Sequence, residues 1–191
     1  QQRFFFARHP AGYAFADQAD VCVNSRIAGD AVGATKMDRP ECGNVNPANG
    51  DVYFTLTNNS NRKVDATSSS HSVVDSVNPR YYRDIKGTST VQTGNPNGHI
   101  IRIADAGGDA AATSFTWDVF LFGAESFASP TGINLSGLTA DQDFSSPDGL
   151  VFSPSTGICW IETDDGAYTD VSNCMMLAAL PCKVGDGNKV A

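Results

Sequence analysis

The sequence predicts an all-β chain, a partial β-propeller of about three to four blades with one short helix near the N-terminus. Three observations predict it. Short segments alternate apolar and polar residues between turn formers. A strand–turn–strand frame occurs twice. The composition is turn-rich, with 18 Gly and 9 Pro in 191 residues and only 18% charged residues.

Composition also sets bounds. Hydrophobic residues make up 41% of the chain, enough to build a core, so the composition is not that of a disordered chain. The formal charge is −8, from 13 Lys+Arg against 21 Asp+Glu, with no basic stripe to neutralise phosphates. Nucleic-acid binding is therefore not expected. No apolar run approaches the ~18–20 residues that span a bilayer.

Taken in order, residues 1–15 read as a lead-in segment and 16–191 as the partial propeller domain. The chain opens Gln1-Gln2-Arg3, without Met or a signal-peptide pattern. That start reads as processed, truncated or simply the first ordered residue, and says nothing about export. Asp17 can cap a helix with Val21, Val23, Ile27, Ala28, Ala31 and Val32 towards one side, ended by Gly33. Residues 51–57 alternate as a strand, with Val52, Phe54 and Leu56 on one face and Tyr53, Thr55 and Thr57 on the other. Residues 60–95 are polar and read as a long surface loop. Further strands are expected at 99–103, 115–121, 150–152 and 159–162, the last two split by the turn Pro154-Ser155-Thr156-Gly157.

The repeat aligns Pro40-Glu41 with Pro147-Asp148. Each pair is followed by Pro-x-x-Gly (Pro47 to Gly50, Pro154 to Gly157), then by an aromatic, Tyr53 or Trp160. Each copy then reaches a pair, Asn58-Asn59 or Asp164-Asp165. Radial repetition of such units makes a propeller, and two similar hairpins in a sandwich are the alternative. In a propeller the inner strands converge on a channel, and acids at their starts would face one another and call for a cation. Glu41 and Asp148 are thus candidate metal ligands, with Asp164, Asp165, Asn58 and Asn59 behind them. The plain alternative is that Pro-Glu and Pro-Asp only begin strands. Arg39 lies two residues before Glu41, so on an extended strand the two share a face, and a guanidinium there would clamp phosphate. A surface Arg paired with Asp38 or Glu41 is the other reading.

Other motifs carry less. The cysteines, Cys22, Cys42, Cys159, Cys174 and Cys182, form no Cys-x-x-Cys pair; mostly buried small hydrophobes are the simplest reading, with a disulfide or an iron ligand as the alternative. His99 reads as a structural hydrogen-bonder. Asp141-x-Asp143 fails the calcium-loop pattern. Asn58-Asn59-Ser60 and Asn134-Leu135-Ser136 match the glycosylation triplet.

Long ordered stretches resemble the PhoX-type alkaline phosphatase family: Met37-Asp38-Arg39-Pro40-Glu41, Gly98-His99-Ile100-Ile101-Arg102, Phe115-Thr116-Trp117-Asp118, and Asn134 through Asp148-Gly149-Leu150. The resemblance continues through Thr163-Asp164-Asp165-Gly166-Ala167-Tyr168-Thr169-Asp170 to Asn173-Cys174-Met175-Met176-Leu177 and covers roughly residues 15–187. It implies a secreted or periplasmic propeller phosphomonoesterase, exported by the twin-arginine route, with Ca2+ and Fe3+ at its centre. It implies that Arg39 contacts phosphate and Glu41 ligates metal, making these the catalytic pair. It carries over to Asp148 and Asp165 more weakly, and Asn58 joins Arg39 as a substrate-binding candidate. Family members are longer, and this chain matches their later part. Their earlier part supplies iron ligands, including a cysteine. Cys42 also stands where an aromatic is commoner. A small phosphate ester is the implied substrate, with association through the rest of a larger propeller or through open sheet edges. The competing readings are a non-catalytic calcium-binding propeller module used in assembly, and a lactonase-like calcium propeller.

Overall fold

The computed structural model describes residues 13–68, 71–167 and 174–181. Tyr168, Thr169, Asp170, Asn173 and Cys182, all quoted above, lie outside the described residues, as does most of the expected lead-in.

The chain divides after Lys36 into two compact units. In the first, the expected helix forms as two, α1 (Gln18–Val23) and α2 (Ser25–Ala31). Asp17 caps α1 as expected, its carboxylate accepting from the Asp20 amide. The break falls at Asn24, whose φ of −106° and ψ of 39° are not helical. The Asn24 amide side chain bonds the Asp20 carbonyl and carboxylate, a local competition with the helix ladder that Asn is suited to.

The second unit is mostly β: several separate sheets, none closed. The first sheet is four-stranded and antiparallel. Its order is β1 (Pro40–Val45), β2 (Val52–Leu56), β7 (His99–Asp105), β8 (Phe115–Phe122). The second has three strands, β9 (Pro147–Phe152), β10 (Cys159–Thr163) and β11 (Met176–Ala179), with β10 in the middle. All five expected strands are therefore present.

The expected loop at 60–95 is not a loop throughout. It holds β3 (Arg62–Lys63) paired in parallel with β4 (Ser72–Val73), and a hairpin of β5 (Tyr82–Lys86) and β6 (Thr90–Gly94). Several of its polar residues, Arg62, Asn78, Arg80 and Asn95, are buried and paired. The Arg80 guanidinium donates to the carbonyls of Gly98, Gly123 and Ile133 and to the Asn95 side chain. Gly94 and Gly98 both have positive φ, and a Cβ there would strike the Asn59 and Thr57 carbonyls. Only glycine lets the insertion lie so close to the end of β2.

The repeat is structural as well as sequential. At an offset of 107 residues (Pro40 to Pro147) the two hairpins share their register. Pro40↔Leu56, Gly43↔Phe54 and Val45↔Val52 in the first match Pro147↔Thr163, Leu150↔Ile161 and Phe152↔Cys159 in the second. Their turns match too: the Gly50 amide donates to Asn46, and the Gly157 amide to Ser153, both at 2.9 Å. Each hairpin carries one β-bulge at the same place. Glu41 and Cys42 oppose Thr55 alone, and Asp148 and Gly149 oppose Glu162 alone.

The two sheets stack face to back, with β1 and β2 both against β9. The first sheet presents Tyr53 and Thr55. The second presents Leu150, Phe152, Cys159 and Ile161, which correspond by the offset to Gly43, Val45, Val52 and Phe54 on the opposite face of the first. Tyr53 packs edge-on against Phe120 of its own sheet, at 5.2 Å, and Phe152 of the other, at 5.0 Å. Thr55 Oγ1 donates across the interface to the Asp148 carbonyl at 2.5 Å. Val45 and Val151 are left exposed on the outer faces.

Of the cysteines, Cys159 fits the buried reading, and Cys42 packs beside the core while its thiol meets the Leu150 carbonyl. Cys22 and Cys174 are exposed, against expectation.

Candidate functional site

The site lies where the two bulged hairpins begin. Arg39 immediately precedes β1 and has a left-handed backbone, φ 52°. Ser146, its counterpart before β9, has φ 55°. Neither is glycine, so both conformations are held by their surroundings. The holding bonds are equivalent: Thr57 N–H donates to the Arg39 carbonyl and Asp164 N–H to the Ser146 carbonyl. Immediately after, the bulges place Glu41 and Asp148 out of strand alternation. A bulge re-aims a side chain in this way without ending the strand.

The structure therefore brings Arg39 and Glu41 together by a different route from the extended strand expected. Arg39 Nε donates to Glu41 Oε1 at 2.9 Å, and Nη2 lies 3.6 Å from Asp164 Oδ2. One guanidinium thus links the first hairpin's bulge to the end of the second. All three side chains stay open to solvent, at 51%, 38% and 62% exposure. An ion pair so exposed adds little stability. Asp148 belongs to the same cluster. Burial raises its pKa, and the charges of Glu41 and Asp164 raise it further, against a smaller lowering by Arg39.

Asn58 borders this cluster. Its Nδ2 donates to Ser146 Oγ at 3.4 Å, and it lines a cleft of about 390 Å³ with Ser60, Thr93, Pro96 and Ala167. Asp165 is turned elsewhere: it is buried, Oδ1 accepts from Ala167 N–H, and its own N–H meets the Cys174 thiol. Asn59 leaves the site altogether and donates to Asp38 at 2.8 Å.

Carboxylates are hard oxygen donors suited to calcium or ferric iron. Yet among the described residues no three His, Cys, Asp or Glu side chains gather as a metal would require. Glu41 and Asp164 turn to Arg39 instead. The residues described do not by themselves fit a complete metal centre.

His99 is structural, as the sequence suggests. It is fully buried, Nε2 bonding the Val77 carbonyl at 2.8 Å and Nδ1 the Asn95 amide at 3.0 Å. Burial and the Arg80 charge push its pKa down to about 3. Asn134 is also buried, its side chain bonded to Ser126 and Leu138, so it is closed to glycosylation in the folded chain. Among the described residues no helix is long and apolar enough to cross a membrane.

Sequence reading missed Asp38. It is fully buried beside Arg39 and accepts from Arg62 Nε and Asn59 at 2.8 Å and from Asn95 at 3.0 Å. A buried acid inside a polar stretch has no periodic signal. The only hint was its place next to Arg39.

Comparison with known proteins follows the same lines. No curated protein matches the chain. A solved structure, Pseudomonas fluorescens PhoX in complex with vanadate, a transition state analogue, superposes with a TM-score of 0.68 at 36% sequence identity. The match covers 87% of this chain and 27% of that one, so the chain spans about a quarter of that protein's length. A model of the family "alkaline phosphatase PhoX" matches residues 6–181. By that match, which takes in both bulged hairpins and the arginine that precedes the first, the chain belongs to the PhoX alkaline phosphatase family.

Proposed function

We propose that the chain forms part of a phosphomonoesterase that releases phosphate from organic phosphate esters, with Arg39 as its phosphoryl contact. The observation that carries this is Arg39 itself, held left-handed between Glu41 and Asp164 at the start of two equivalent hairpins. Its guanidinium has more donors than its two carboxylate partners use, and a planar fork suits phosphate oxygens. Glu41 and Asp164 fix its orientation. As charge develops on the phosphoryl oxygens, a donor already in place stabilises it without reorganising. Asn58 stands at the neighbouring cleft, placed to donate to the substrate.

The Ca2+ and Fe3+ implied by the resemblance belong to the same proposal, with Glu41, Asp148, Asp164 and Asp165 offered as oxygen donors. Donors beyond those described here would have to complete such a centre. We also propose that the sheets are propeller blades. The face-to-back stacking supports this, because such a contact leaves the same two faces free at either end and so can be repeated. Secretion or a periplasmic location follows the family reading.

Hydrolysis of p-nitrophenyl phosphate, with calcium and ferric iron supplied, tests the proposal. Arg39→Ala is expected to lose about 10²–10³-fold in kcat, the usual cost of removing one preorganised donor. Arg39→Lys is expected to recover only part, because an ammonium has no fork. Equal turnover in wild type and Arg39→Ala would refute the assignment. Elemental analysis of the purified protein reads the metals independently of turnover.

A further inference from the structure

We infer that Asp38 is a positioning residue for Arg39, and that the 60–95 insertion exists in large part to hold it; this rests on the reading of Arg39 as the phosphoryl contact. The insertion joins β2 to β7 in the first repeat. Only residues 164–175 stand between β10 and β11 in the second. Two of the insertion's fully buried polar side chains, Arg62 and Asn95, converge on one carboxylate, with Asn59 just before the insertion. Arg62 Nε donates to Asp38 Oδ1 at 2.8 Å, as does Asn59 Nδ2, and Asn95 Nδ2 donates to Oδ2 at 3.0 Å. Asp38 N–H in turn donates to Asn78 Oδ1 at 3.0 Å, and the Asn78 amide is fixed by Asp75. Both oxygens and the amide of Asp38 are thereby tied down.

The next residue is Arg39, in a backbone conformation unfavourable for any residue with a Cβ. Its amide bonds the Met37 carbonyl and its own carbonyl accepts from Thr57. The peptide on one side of Arg39 is thus set by the Asp38 network and the other by β2. A long, half-exposed side chain has many rotamers, and fixing its backbone is what lets two weak surface contacts orient it. The second repeat supplies the control within the molecule. Ser146 has nearly the same φ, and the residue before it is Ser145, whose hydroxyl meets the neighbouring Ser146 Oγ at 3.1 Å. A left-handed serine needs no acid; a left-handed arginine aimed at a ligand has one.

The test compares Asp38→Asn, Arg39→Ala, the double variant and Asn78→Ala in p-nitrophenyl phosphate hydrolysis, with inhibition by vanadate and thermal melts beside it. Asp38→Asn is expected to lower kcat/KM about 10–100-fold, as small misplacements do, and to weaken vanadate inhibition by a similar factor. In the double variant the loss is no greater than in Arg39→Ala alone, because both act through one guanidinium. Asn78→Ala moves in the same direction by less, and serves where Asp38→Asn fails to fold. Losses that multiply in the double variant would overturn the inference, as would a lower melting temperature with unchanged turnover. A fully active Arg39→Ala would instead bring down the underlying reading, and this one with it, and is told apart by that single variant.

Discussion

The two hairpins, β1–β2 and β9–β10, share register, turn, bulge and a left-handed residue at the entry, yet they carry different chemistry. The first has Arg39 beside Glu41. The second has Ser146 beside Asp148. The difference teaches that the backbone frame is generic, and on the proposed reading function enters through the residues set into its two special positions, the left-handed entry and the bulge. It also shows what specialisation costs. The arginine repeat carries the long polar insertion and a buried acid, Asp38, before its left-handed entry; the serine repeat has the shorter 164–175 connection and Ser145 at that place. Function sits at sites grafted onto a reusable scaffold.

The largest expected effect probes the face-to-back stacking. Tyr53 and Trp160 are equivalent in the repeat, but Tyr53 is fully buried between the sheets and Trp160 is half-buried on the outer face. Tyr53→Ala is expected to cost about 3–5 kcal/mol, like other large aromatic truncations. Trp160→Ala should cost roughly half of that or less in this chain, because part of its surface is already in water. Urea denaturation of both variants gives the comparison. Equal losses would mean that the outer face is covered after all, and would break the asymmetry.

The next effect concerns the insertion that only the first repeat has. His99 opens β7 beneath it, buried and with its pKa pushed down to about 3 by burial and by Arg80. The sign follows from linkage. With the folded pKa below the unfolded value of about 6.5, the unfolded chain binds more protons between those limits. Stability is therefore full above pH ~6.5 and lost as pH falls towards 3. The loss should be on the order of 1–3 kcal/mol by pH 4. His99→Gln should be less stable at neutral pH, having lost its fitted partners, but flatter through that window. Denaturation midpoints at several pH values measure the slope. An equally steep slope in His99→Gln would place the acid sensitivity elsewhere.

The frame of both hairpins was legible in the sequence because Pro-acid, Pro-x-x-Gly and the following aromatic recur at fixed spacing, and turn chemistry fixes hairpin register. The Arg39–Glu41 pairing was legible too, for a reason the structure replaces: a bulge and a left-handed residue, not strand alternation, bring them together. Bulges depend on which hydrogen bonds form between strands, and one sequence does not display them. Asp164 was legible only as an acid in the second repeat. Its approach to Arg39 needs both sheets stacked. The strands at 62–63, 72–73, 82–86 and 90–94 were invisible because they are short and polar. The segment that carries them is anchored by Arg62, by Arg80 and by close glycine contacts rather than by an apolar stripe.

The smallest effect bears most directly on the contrast between the two bulges. Glu41 has its arginine at 2.9 Å, whereas Asp148 has a serine at the equivalent entry and its pKa is raised by burial, Glu41 and Asp164. A carboxylate with a raised folded pKa stabilises the fold below its unfolded value of about 3.9, and that contribution is lost as pH rises through the folded value. Ionised Asp148 is thus a net burden at neutral pH in the absence of any bound cation. Asp148→Asn should then be more stable than wild type by roughly a few tenths of a kcal/mol at pH 7, since solvent screens so open a cluster. The advantage should vanish below about pH 3.9, where wild type is protonated too. Glu41→Gln should show no such gain, because the variant gives up the Arg39 pair along with the charge. Melting curves at both pH values for the two variants settle it: a gain in Glu41→Gln matching that in Asp148→Asn would show that the arginine does nothing to distinguish the repeats electrostatically, and that their difference lies in shape alone.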